Sequence, residues 1–203
     1  MAEQYFTAHP TAQHDQHTFD FTLRGQVFHF LTDSGVFAKG TIDYGTRVLL
    51  QTLDFDQLPE GPILDLGCGY GPIGLTVAKE QPQRQVDLVD INQRALELAR
   101  QNARQNQLTN IRVFASDSYQ QVNITDYAAI YTNPPLRAGK VVVTKMITQA
   151  KDHLQLQGQF WLVVQKKQGA PSYQKIMQHT FGNAQIMKRD KGYYIIKSVK
   201  TEN

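Results

Sequence analysis

Two short stretches hold residue types at spacings that do chemistry. The first is Asn133-Pro134-Pro135, which closes an apolar run from Tyr127 to Thr132. Proline lacks an N–H and locks φ, and a residue before proline is held extended. The Asn133 amide oxygen and the Pro134 carbonyl are therefore expected to stand rigidly at a strand end with few competing donors. Two fixed acceptors suit an amino group, and a simple proline turn is the other reading. The second stretch is Asp65-Leu66-Gly67-Cys68-Gly69-Tyr70-Gly71, which follows Ile63-Leu64. Glycines let a ligand lie against the backbone, and the helix start after them offers unpaired N–H groups and a positive dipole end. Asp65, a carboxylate in an apolar strand, needs loop N–H groups or a ligand ammonium as its partner.

These residues need a parallel sheet behind them. Strands are expected at Ile63–Leu66, Gln85–Asp90, Ile111–Phe114, Tyr127–Thr132 and from Gly158 through Val164, with helices between them. Asp90 ends the second of these strands, 19 residues past Gly71, where nucleotide-binding α/β folds place a ribose-binding acid. It also reads as a helix cap for the segment at Asn92. Asp117, after the third strand, is either a base-binding acid or a turn cap. One helix is expected from Thr46 to Leu53, and a second, with its apolar stripe on Val142, Met146, Ile147, Ala150 and Leu154, before the fifth strand. Gln185-Ile186-Met187 and Tyr193–Ile196 are expected to pair antiparallel. Upstream, Phe19, Phe21 and Leu23 alternate before Arg24-Gly25 and Val27–Phe30, the pattern of a β-hairpin. Residues 34–45 read as a connector, although Phe37 and Lys39 also suit a site wall. A polar linker with Pro59 divides residues 1–58, an appendage, from residues 59–203, the main domain.

Composition narrows the class. No apolar run nears the ~20 residues of a membrane helix, and Met1–Tyr5 has no basic or apolar leader pattern. A cytoplasmic protein is expected, a monomer or weak homo-oligomer. The single cysteine, Cys68, reads as a small residue filling the glycine loop rather than a nucleophile. His9, His14 and His17 lack the supporting cysteines or second cluster of a metal site, so no metal is expected. Net charge is +3, unevenly spread. Residues 1–136 carry 9 Lys/Arg against 15 Asp/Glu (net −6), and residues 137–203 carry 12 against 3 (net +9). The basic third suggests either a polyanion partner or ordinary solvated positions.

Gly69-Tyr70-Gly71-Pro72-Ile73-Gly74 fits a dinucleotide fingerprint by itself. The fuller Asp65-x-Gly67-x-Gly69-x-Gly71, with Asp90, Asp117 and Asn133-Pro134-Pro135, resembles the class I S-adenosylmethionine-dependent methyltransferases. Within them the chain is similar to the small methyltransferase domain group, 16S rRNA guanine-N2 methyltransferases of the RsmC type. The loop Gly35–Lys39 with Ile42–Gly45 resembles the stretch that precedes the glycine motif throughout this group, and Asn133 through Lys140 resembles its short single-domain Gram-positive members. The resemblance implies a Rossmann-like sheet of seven mostly parallel strands, the last antiparallel, with helices on both faces and the N-terminal hairpin attached. It also implies S-adenosylmethionine held by Asp65, Gly67, Cys68, Gly69, Gly71, Asp90, Ile91, Asp117 and Asn133. Asn133, Pro134 and Pro135 form the implied catalytic set, and Phe37, Lys39, Leu136, Arg137 and Lys140 meet the substrate. Ribosomal RNA or the small ribosomal subunit is the implied partner. The group's amino methylators carry an aromatic residue where this chain has Leu136. Three other readings share the motifs: methylation of adenine N6 in DNA or RNA, methylation of a protein glutamine, and RNA binding without catalysis.

Overall fold

The computed structural model describes residues 7–201. Two strands, β1 (His17–Leu23) and β2 (Gln26–Thr32), form an antiparallel hairpin. Arg24 and Gly25 turn between them with φ +48° and +77°, the positive pair that a two-residue hairpin loop demands. Helix α1 (Tyr44–Thr52) follows. Then β3 (Ile63–Leu66), α2 (Pro72–Glu80), β4 (Val86–Asp90), α3 (Gln93–Gln105) and β5 (Ile111–Ala115) alternate. The remaining elements are β6 (Tyr127–Thr132), α4 (Lys140–His153), β7 (Leu154–Gln165), α5 (Ala170–Phe181), β8 (Gln185–Asp190) and β9 (Tyr193–Val199).

Seven strands form one sheet in the order β5-β4-β3-β6-β7-β9-β8. All pairings are parallel except those of β9, antiparallel to β7 and to β8. Every residue of β3 and β6 is buried, because helices cover both faces and leave no solvated side for polar alternation. Adjacent residues point to opposite faces. Ile63, Leu88 and Tyr131 join a core with α1, α2, α3 and the hairpin's Phe28 and Phe30. Leu64, Val89 and Ile130 join a second core with α4 and α5.

Three local readings are corrected. In α4 it is Val143, not Val142, that joins Met146, Ile147 and Ala150 in the core, while Val142 is 36% exposed. Strand β7 begins at Leu154, four residues before Gly158. Gly158 is not a strand boundary but sits in an irregular stretch of the β6–β7 pairing, where a Cβ would lie 2.8 Å from the Gln155 and Tyr127 carbonyl oxygens. Helix α1 starts two residues early, at Tyr44, capped by Asp43. Among the described residues no helix is long and apolar enough to cross a membrane.

Candidate active site

The carboxyl ends of β3, β4, β5 and β6 surround a cavity of about 380 Å³, within the roughly 300–1,000 Å³ of small-molecule pockets. Gly67, Cys68 and Gly69 form one wall, Asp90, Ile91 and Asn92 the next, and Ser116 and Asp117 the far end. Asn133, Pro134 and Pro135 close the opposite side, and Val36, Phe37 and Ala38 reach over from the N-terminal loop.

The loop after β3 is built on backbone geometry that only glycine takes without strain. Gly67 and Gly69 have φ of +75° and +56°, and a Cβ on Gly69 would meet nothing within 4 Å. That open strip is room for a ligand. Gly71 has a different task. It caps α2 in the left-handed conformation, away from the cavity wall, and a Cβ there would lie 2.1 Å from Leu75 Cδ1. Its expected ligand role is therefore corrected to a packing role. Cys68 is buried, and its thiol is pushed well up by burial, then by the charges of Asp90 and Asp65. That agrees with the space-filling reading.

Asp65 is fully buried and does not line the cavity. Its Oδ2 accepts the Gly74 N–H at 2.8 Å, tying α2 to β3, so of its two expected partners it takes the loop-helix backbone. Burial, opposed by that hydrogen bond, pushes its carboxyl up to about 7, with the neighbouring Asp90 charge adding to the rise. Asp90 does line the cavity. Its oxygens accept the N–H groups of Gly69 at 2.8 Å and Asn92 at 2.9 Å. The Ile91 N–H adds a third backbone donor, which still leaves lone-pair room for a ligand, and burial holds the group above the ordinary carboxylate range. The cap on α3 is Asn92, not Asp90. Asp117 lines the far end and accepts from Gln120 Nε2 at 3.2 Å.

At the end of β6 the Asn133 Nδ2 donates to Asp43 Oδ2 and to Thr46 Oγ1, both at 3.0 Å. A carboxylate accepts only, so it fixes which way the amide points. Both amide protons are then used, and Oδ1 is the polar end left for a ligand. Asp43 also accepts the Thr46 N–H at 3.2 Å, as the cap of α1. Asp43 and Thr46 line the cavity, and reading Asp43 as part of a connector and Thr46 as a helix start missed both. An Asp before a helical run is a legible cap, but nothing local shows that it also grips a residue 90 positions on. The Pro134 carbonyl is less idle than expected. It accepts the Leu136 N–H at 2.8 Å, with Pro135 at φ −74° and ψ 77°, an inverse γ-turn. One lone pair stays available.

The loop of residues 34–41 is a wall because other elements pin it. Asn92 Nδ2 donates to the Gly35 carbonyl at 2.9 Å, Arg94 Nη1 to Ser34 at 2.7 Å, and the Tyr70 hydroxyl to Thr41 at 2.8 Å. Phe37 lines the cavity and is 41% exposed. Lys39 is turned away, its ammonium paired with Asp15 and bonded to Ser34 Oγ. Leu136 packs against the second core, and the exposed Arg137 and Lys140 stand outside the cavity wall. Among the described residues no three His, Cys, Asp or Glu converge on a metal-sized point. His14 instead bonds Asp33, at 2.5 Å.

Comparison with known proteins points to one family. The methyltransferase small domain family model matches residues 27–197. The chain is 42% identical over 201 residues to an uncharacterized protein, YbxB, of Bacillus subtilis (strain 168), covering 98% of this chain and 100% of that one. It is 35% identical over 170 residues to ribosomal RNA small subunit methyltransferase C of Haemophilus influenzae (strain PittEE), covering 82% of this chain and 49% of that one. The structure of a T. thermophilus 16S rRNA N2 methyltransferase, RsmC, in complex with AdoMet and guanosine superposes with a TM-score of 0.82 at 24% identity. That match covers 91% of this chain and 50% of that one. The chain thus spans about half the length of these methyltransferase C relatives.

Proposed function

The chain belongs to the methyltransferase small domain family, and from that premise we propose that it methylates an exocyclic amine, guanine N2 of 16S ribosomal RNA, with S-adenosylmethionine as donor. The cavity fits that donor. Asp90 has lone pairs for a ribose diol, and the glycine strip at Gly67 and Gly69 has room for a chain against the backbone. Asp117 has a free acceptor for an adenine amine, and Ile91 and Ala95 offer an apolar surface for its ring. Bound there, S-adenosylmethionine supplies an electrophilic methyl group on a sulfonium.

The residues of the chain handle the acceptor. An aromatic amine is a poor nucleophile because its lone pair is delocalised into the ring. Asn133 Oδ1 and the open lone pair of Pro134 accept its two N–H bonds, which favours a pyramidal nitrogen with a directed lone pair. Holding that orientation lowers the entropic barrier, and the two oxygens face the positive charge that grows on nitrogen. No side chain need remove a proton before transfer, since the product ammonium sheds it afterwards.

The observation that carries this reading is the Asn133 amide locked by Asp43 and Thr46, leaving an acceptor and not a donor at the cavity. The test is nucleoside mass spectrometry of 16S rRNA from cells with and without the gene, and of rRNA or 30S subunits treated with the purified chain. N2-methylguanosine dependent on the chain supports the proposal. N6-methyladenosine, methylated protein glutamine or RNA binding without product would replace the substrate assignment.

A further inference from the structure

We propose that a groove at the outer end of β7 and the β8–β9 turn is a phosphate subsite for the RNA strand that carries the acceptor base, an inference that rests on the RNA reading above. The groove is lined by Gln165, Lys166, Lys167, Lys191 and Gly192. Its two sides are joined by the Lys166 N–H donating to the Gly192 carbonyl at 2.8 Å. All three lysines are exposed, and among the described residues none is in an ion pair. The carboxylate at the same turn, Asp190, accepts the Tyr44 hydroxyl at 3.1 Å. Three like charges gathered in one groove repel each other, and a polyanion relieves that repulsion.

The place matters as much as the charge. Thr132 of β6 is level with Leu162 of the parallel β7. Asn133 lies one residue past that level and Lys166 four, both toward the same edge of the sheet. At about 3.3 Å per residue and 4.8 Å between strands, the two are on the order of 10 Å apart. That is roughly three nucleotides at the 3.4 Å stacked spacing. A ring lies beside one of the cations. Lys191 Nζ sits 4.9 Å from the Tyr44 ring centroid, and Tyr44 lies 5.7 Å from Tyr193. A lysine set against aromatic faces suits a nucleic-acid strand. Tyr44 also directly follows Asp43, the residue that orients Asn133, so a strand held here approaches the acceptor side of the cavity and not the donor side.

The test compares the full chain with a Lys166→Ala/Lys167→Ala/Lys191→Ala variant, using a fluorescent single-stranded oligonucleotide of 16S rRNA sequence and anisotropy across a KCl series. Removing three phosphate contacts should lower the slope of log K against log[KCl] by about 2, at ~0.7 per contact on a single strand. It should raise the KM for RNA at least tenfold, with kcat at saturating RNA and affinity for S-adenosylhomocysteine within twofold of wild type. A control Lys145→Ala/Lys151→Ala/Lys175→Ala variant removes equal charge elsewhere and should keep the slope. If the first variant loses S-adenosylhomocysteine binding, the milder Lys166→Gln/Lys167→Gln pair decides the matter, with an expected slope change of about 1.4. A wild-type slope in these variants, or an equal loss in the control, overturns the subsite while leaving the enzyme reading intact. A wild-type chain that binds no RNA overturns both.

Discussion

The two sides of the cavity are built in opposite ways. The donor side comes from consecutive β-turn-α units, β3 to β5, with each ligand-facing residue at a strand end or within three positions past it. The acceptor side is assembled from segments far apart in sequence. Asp43 and Thr46 come from the cap and first turn of α1, Asn133 from the end of β6, and the neighbouring Tyr44 donates to Asp190 at the end of β8. Local construction makes a site robust and readable, while assembly from distant parts makes its geometry depend on packing elsewhere. Substitutions on the two sides should therefore fail differently, by lost donor affinity on one and by lost turnover on the other.

The largest expected effect tests that division directly. Asn133→Ala removes one of two fixed acceptors, and losing a preorganised group of this kind costs about 10²–10³ in kcat. Steady-state methylation should show that loss, with the calorimetric affinity for S-adenosylhomocysteine changed less than threefold. Equal losses in both would erase the distinction between the sides. On the donor side Gly71→Ala should cost the most stability. The new Cβ falls 2.1 Å from Leu75 Cδ1, Leu75 is fully buried with nowhere to swing, and φ +102° disfavours any side chain. Overpacking of this kind costs about 1–3 kcal/mol, a melting shift of ~2–4 °C per kcal/mol in a chain of this size. Asp90→Ala leaves the Gly69 and Asn92 N–H groups without their acceptor and removes the diol partner. Its affinity for S-adenosylhomocysteine should fall ~10–100-fold, at about 1.5–3 kcal/mol for hydrogen bonds to a charged group. An unchanged affinity would remove the ribose assignment.

Asp43 sharpens the comparison further, because it acts through Asn133 and not on a ligand. Asp43→Ala frees the amide to turn and strips the α1 cap, worth about 0.5–2 kcal/mol. A drop of about tenfold in kcat is expected with donor affinity retained. Asp43→Asn keeps an oxygen acceptor at the same place and should restore most of the turnover. A purely structural cap would lower the melting temperature in the Ala variant without separating kcat from KM, and the Asn variant would then rescue stability alone.

The same contrast explains what was legible beforehand. The presence and the ends of β3, β4 and β6 follow from apolar runs that are short, punctuated and buried on both faces, whereas the order of the strands in the sheet does not. The glycine loop was legible as a ligand strip, yet three glycines spelled alike divide into two that face the cavity and one that only packs. Sequence spacing does not separate them, since the difference lies in which neighbour a Cβ would strike. Lys39 was readable as a site lysine, but the loop that carries it folds back until Asp15 captures the charge. Asp43 carried a cap signature and nothing more, because its second bond, to Asn133, exists only once β6 and α1 are side by side. The basic C-terminal third was visible as composition, whereas the meeting of Lys166, Lys167 and Lys191 in one groove needed the register of β7 with β9.

The smallest expected effect comes from the least accessible group on the donor side. Burial raises the Asp65 carboxyl to about 7 in the folded chain, against about 3.9 for an unperturbed Asp. Between those values the folded state holds a proton that the unfolded state has released. Stability must then fall as pH rises through that window and level off above it. From pH 6 to pH 8 the change is about one pK unit's worth, ~1.4 kcal/mol, or roughly 3–5 °C in a chain of this length. Asp65→Asn cannot titrate, so its melting temperature should lack that component, and the gap between variant and wild type should open between pH 6 and 8. Parallel melting curves across those two pH values would show that Asp65 is already ionised in the folded ligand-free protein. The buried end of the donor side would then be more strongly solvated or paired than its single bond to Gly74 implies, and its local, self-contained construction would have to include a further partner for Asp65 Oδ1.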